Sequence, residues 1–129
     1  MIKKMALMAT ILLLCTTMAY AATTYTLDRY GYIEGVGRAS WIPTVYNFDV
    51  TNARVFYFHV EGLPSYGYYM LKWEYDGVTE TKMSDKHSFM DIGALLIDPN
   101  PDIINRIKVT FYQFWPPTNY TWAATSAKE

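Results

Sequence analysis

Residues 69–83 read YMLKWEYDGVTETKM, two alternating runs on either side of Asp76-Gly77, with Trp73 near the centre. Alternation with a period of two marks a strand that buries one face, and Asp-Gly between two such runs signals a β-hairpin. Two registers compete. A two-residue loop sets Trp73 opposite Glu80 and Leu71 opposite Lys82, with charges beside the largest apolar groups. If Tyr75 joins the turn and Gly77 takes a left-handed bulge position, Trp73 meets Thr79, Leu71 meets Thr81 and Tyr69 meets Met83. Lys72 then faces Glu80 on the other side. The second register separates apolar from polar and adds an ion pair, so it is the expected one.

The flanking sequence repeats the strand rhythm. TTYTLDRY (23–30) alternates and reads as a short edge strand, whereas Gly31, Gly35 and Gly37 break GYIEGVGRAS into a loop leading to Trp41. That loop lacks the lysine and following helix of a phosphate cradle. Tyr46, Phe48 and Val50 share one face of the next strand. RVFYFHVE (54–61) is apolar on both faces, as a central strand would be, with Phe56, Phe58 and Val60 as core and Val55, Tyr57 and His59 opposite. GLPSYG (62–67) turns into the hairpin. Residues 84–97 admit a helix with Phe89, Ile92 and Leu96 on one face, but Gly93 weakens it, and a strand from His87 to Ile92 suits the β surroundings better. RIKVTFYQFW (106–115) is a second convincing strand with Ile107, Val109 and Phe111 inward. Pro116-Pro117 ends it, and a last short strand at 119–123 precedes a fraying tail.

About seven short strands, a hairpin and no long helix predict an all-β, two-sheet antiparallel sandwich. The run VFYFHVEG, YMLKWEYDG, HSFMDIG, RIKVTFYQF resembles the strand rhythm of immunoglobulin-like and fibronectin III-like domains over two-thirds of residues 22–129. The resemblance is architectural: the paired cysteines of antibody-type domains are missing, and it implies no site residue.

The N-terminus addresses the compartment. Lys3 and Lys4 precede an apolar run from Met5 to Leu14, and Ala19-Tyr20-Ala21 offers the small residues a signal peptidase reads. Residues 1–21 are expected to be a cleaved Sec signal peptide; the run is about half the roughly 20 residues of a membrane span. Cys15 closes that run, but Leu14 stands where a lipoprotein peptidase expects a small residue. Export to the bacterial periplasm or beyond leaves residues 22–129 as one domain, with no disulfide and no thiolate site, since Cys15 is the single cysteine. Cleavage removes two of the eleven basic residues and none of the twelve acidic ones, giving a charge near −3 and no support for a nucleic-acid partner.

Aromatics are the feature that speaks to function. Of 22 aromatic residues only Tyr20 lies in the leader. Once the core is filled, Tyr57, Tyr66, Tyr68, Tyr112, Phe114 and Trp115 are left over. Exposed rings stack on sugars and anchor protein interfaces, so Tyr66, Tyr68, Tyr112, Phe114 and Trp115 are the candidate ligand-binding residues. The competing reading is that loops cover them.

Other chemistry finds little footing. Asp98, Asn100 and Asp102 alternate like the start of a calcium loop, but the required glycine and bidentate glutamate are missing; a proline-stiffened turn fits better. His59 and His87 lack a third zinc ligand. There is no GxSxG, and nothing in the spacing requires Asp91 and Asp98 to act as acid and base. The expectation is a non-catalytic binding module without cofactor or metal, its partner an extracellular glycan or protein. The alternative is a filament subunit, a homo-oligomer assembled by donating the strand at 23–30 to a neighbour's sheet edge.

Overall fold

The computed structural model describes residues 23–128. The expected leader at 1–21 lies outside them. The described chain forms ten strands and no helix. The first five are β1 (Thr24–Leu27), β2 (Tyr32–Gly37), β3 (Thr44–Val50), β4 (Val55–Glu61) and β5 (Tyr68–Tyr75). The others are β6 (Val78–Met83), β7 (Phe89–Asp91), β8 (Leu95–Leu96), β9 (Asn105–Trp115) and β10 (Tyr120–Ala127). One sheet has the order β1-β3-β9-β5-β6; the other has β2-β10-β4-β7, with β8 also on β4. This is the two-sheet sandwich expected from the strand rhythm. Every pairing is antiparallel except β1 on β3.

Alternating inward residues of both sheets make the core, as strand geometry requires. Phe48, Val50, Phe56, Phe58, Val60, Leu71 and Val109 are wholly buried, and Trp73 is only 7% exposed. The ring at the centre of the packing, however, is Trp122. Its centroid lies 4.9 Å from Tyr46, 5.1 Å from Tyr25 and 6.0 Å from Phe58, bridging the sheets. Such ring pairs add to the energy of simple burial.

Four sequence expectations are corrected. The hairpin adopts the two-residue loop: Trp73 pairs with Glu80 and Leu71 with Lys82, and φ is positive at both Asp76 (51°) and Gly77 (76°). Two left-handed residues make a turn whose twist matches the strands. The charges beside Trp73 meet no core, because β6 is an edge strand exposed along its whole length. In place of the expected Lys72–Glu80 pair, Lys82 approaches Asp91 at 3.9 Å and Lys108 approaches Glu74 at 3.8 Å. Inward charges on an edge also discourage pairing with another chain.

The glycine loop is largely strand β2. Gly35 and Gly37 pair with Trp122 and Tyr120 of β10, and their missing side chains make room for those rings. The short last strand is instead the central strand of the second sheet, running to Ala127. Its Ala124 and Ser126 are buried because large rings opposite leave little space. Finally, RVFYFHVE is not covered along both faces: Phe56, Phe58 and Val60 are buried, while on the other face Val55 is buried, Tyr57 exposed and His59 half-exposed. The choice at 84–97 falls on strand, as β7 and β8 with Gly93 at φ 71° between them.

β1 is seated on its own chain. Tyr25 packs 5.6 Å from Phe48, Leu27 is buried, and Thr51 N–H donates to the Leu27 carbonyl at 3.1 Å.

Candidate functional site at the loop end

Strand directions gather four connections at one end of the sandwich. Gly37 pairs with Tyr120, Glu61 with Thr121 and Phe89, Tyr68 with Trp115, and Met70 with Met83, so loops 38–43, 62–67, 84–88 and 116–119 converge there. Polar side chains, two of them buried, fix them. The Gln113 amide, 4% exposed, donates to the Arg38 carbonyl at 2.9 Å and accepts from Thr118 N–H at 2.6 Å. Ala39 N–H donates to Asn119 Oδ1 at 2.9 Å, and the Tyr69 hydroxyl donates to the Pro116 carbonyl at 2.6 Å. Ser84 Oγ accepts from Tyr69 N–H and donates to the Gly67 carbonyl. These hydrogen bonds tie the four loops to one another and to the sheets beneath them.

What these loops present is apolar. Trp41 is 69% exposed beside exposed Ile42, Tyr66 is 67% exposed and Trp115 is 52% exposed. Tyr66 and Trp115 face each other with centroids 5.8 Å apart. Large rings this open are costly in water and mark contact surfaces when clustered.

All five residues singled out from sequence sit at this end. Tyr66, Tyr68, Phe114 and Trp115 are exposed, whereas Tyr112 is half-buried and stacks on Phe114 at 6.0 Å with 26° between the rings. Tyr68 stands opposite Trp115, and a register shift between Tyr68 and Tyr69 splays this corner. Trp41 and Ile42 were missed. Two large apolar residues directly before Pro43, with no alternation around them, are the signal that marks them as loop residues without a core to enter.

The remaining polar candidates have structural work. Asp98 Oδ1 accepts from Asn100 N–H and Asn100 Oδ1 from Asp102 N–H, each at 3.0 Å, so both side chains cap the proline turn. His59 approaches Glu61 at 3.5 Å while His87 stacks on Phe89 at 5.3 Å. Asp91 accepts from Gly93 N–H at 2.8 Å and faces Lys82, so Asp91 and Asp98 belong to separate turns. Among the described residues, no three His, Cys, Asp or Glu side chains converge to hold a metal ion.

Neither a protein-family model nor a curated protein sequence matches this chain. Solved structures do. The pre-peptidase C-terminal domain of a collagenase from Bacillus anthracis superposes at a TM-score of 0.50 with 10% identity, over 81% of this chain and 95% of that one. A periplasmic inhibitor of g-type lysozyme from Aeromonas hydrophila gives 0.46 at 12% identity, over 82% and 99%. A β-glucosidase from Paenibacillus barengoltzii gives 0.47 at 13%, over 84% of this chain and 12% of that one. At such identities the likeness shows the fold, a small β-sandwich.

Proposed function

We propose that this chain is an exported, non-catalytic recognition module that grips its partner, a protein in preference to a glycan, with the loop end of the sandwich. One observation carries the reading: four cross-tied loops hold Trp41, Ile42, Tyr66 and Trp115 in the open. Exposed Arg38, Ser65, Asp85, Lys86 and Asn119 on the same loops give the rings a polar rim, as around the apolar centre of a protein interface. Aromatic anchors with an aliphatic neighbour are the profile of a protein hot spot. The leader sequence supports action outside the cytoplasm. The shared sandwich of a domain carried by a collagenase accords with an accessory role.

The test is capture of partners from extracytoplasmic extract by residues 22–129, repeated with Trp41→Ala/Tyr66→Ala/Trp115→Ala and accompanied by a glycan array. A protein retained by the wild type is expected to lose about 2 kcal/mol or more of binding in the variant. Thermal unfolding should be nearly unchanged, since these rings pack little. Retention that survives all three substitutions, or array binding without any protein, overturns the assignment.

A further inference from the structure

The outer face of the second sheet is a trough. Its central strand, β10, turns Thr121, Ala123 and Thr125 outward, while the strands on either side raise large side chains. Pairing aligns these in rows: Tyr32, Thr125 and Tyr57; then Glu34, Ala123 and His59; then Val36, Thr121 and Glu61. Small residues in the middle and tall ones at both sides leave a hollow of about 550 Å3 along β10, adjoining another of about 430 Å3 between β4 and β7.

The walls have a definite chemistry. Tyr32 is 62% exposed and Tyr57 41% exposed, one on each side of Thr125. Further along, the Tyr32 hydroxyl donates to Glu34 Oε2 at 2.9 Å and orients that carboxylate, and Glu61 lies 3.5 Å from His59. No lysine or arginine lines either hollow; the near cation, Lys82, is directed to Asp91. Rings standing over a floor with hydroxyls suit the flat faces and edges of pyranose units. Glutamates with no lysine or arginine on them, as Glu34 and Glu61 are here, repel anionic ligands and attract ammonium groups.

We infer that the trough over β10 and the hollow adjoining it bind an oligosaccharide bearing free amines, with Tyr32 stacking on a sugar ring in the first, Tyr57 on one in the second, and Glu34 and Glu61 accepting from ammonium groups. This site is separate from the loop end and stands or falls without it.

Isothermal titration of residues 22–129 with a β-1,4-linked glucosamine hexamer tests it, beside the N-acetylglucosamine hexamer, oligogalacturonate and a polylysine peptide. The glucosamine hexamer is expected to bind most tightly, and Glu34→Gln/Glu61→Gln to weaken it by about tenfold or more, since two charge-assisted hydrogen bonds are lost. Ala123→Ile, which raises the floor, should abolish binding, while Trp41→Ala/Tyr66→Ala/Trp115→Ala leaves it intact. No binding of the glucosamine hexamer overturns the inference, as does equal binding of the acetylated hexamer or oligogalacturonate, or indifference to the two glutamine substitutions. Tighter binding of polylysine would make the trough a docking face for basic protein instead.

Discussion

Tyr46 of β3 and Tyr120 of β10 join their hydroxyls across the interior, 2.5 Å apart, and tie the two sheets with a polar contact inside an apolar core. Burial, then the hydrogen bond to Tyr120, pushes the Tyr46 hydroxyl far above the usual tyrosine range; burial also raises Tyr120, against hydrogen bonds from Tyr46 and Thr44 that lower it. An unfolded tyrosine releases its proton near pH 10, whereas these two keep theirs in the native state. Above that pH the unfolded chain binds fewer protons than the folded one, so stability falls as pH rises; it is fully present below. The expected slope is a loss of up to about 1.4 kcal/mol per pH unit for each such tyrosine above roughly pH 10. Denaturant melts at pH 9, 10 and 11 measure it. Tyr46→Phe/Tyr120→Phe, which removes both hydroxyls and strands neither, should shift the pH 9 midpoint little and flatten the alkaline decline. An equally steep decline in the double variant would assign it to other groups.

At the scale of elements, β2 and β10 show how a strand is written with glycines. A Cβ on Gly37 would lie 2.0 Å from Tyr120 Cζ, and one on Gly35 2.7 Å from the Trp122 indole. The rings lie where the missing side chains would be, and this packing offsets the low strand preference of glycine. Gly37→Ala is therefore expected to cost about 1–3 kcal/mol through overpacking of a buried ring. Gly77→Ala, at φ 76° in the hairpin turn but with open space around it, should cost about 1 kcal/mol. Chemical denaturation of the two variants checks the order, and a Gly37→Ala protein as stable as wild type would contradict the packing. The hairpin register follows a similar logic. The turn chemistry of Asp76-Gly77 outweighs face segregation, because β6 is an edge strand exposed along its whole length, so Glu80 and Lys82 stay in water even on the side from which Lys82 reaches Asp91 of the other sheet.

Over the whole molecule the chain changes sheets at almost every connection. Only β5–β6 and β7–β8 follow each other within one sheet, and only β5–β6 pair as a hairpin. Nearly every pairing must therefore close a long loop, so refolding is expected on the slow scale of sheet proteins, about milliseconds to seconds. Stopped-flow fluorescence reads this directly, and a microsecond refolding phase carrying the full amplitude would refute it.

Strand content, the buried faces of β3, β4, β5 and β9, and the surplus of rings beyond what a core holds were legible in residues 23–128, because period-two alternation and side-chain volume are local properties of the chain. Partner strands were not local. That Gly35 and Gly37 belong to a strand, that 120–127 forms the middle of a sheet, and that Trp122 rather than Trp73 centres the core depend on which side chains face one another across 60 or more residues. The same holds for the sites. The aromatics at 66–68 and 112–115 could be picked from sequence, but their place at the same end as Trp41, and the trough cut by small residues on β10 between tall neighbours, arise only when distant strands are laid side by side and their heights compared.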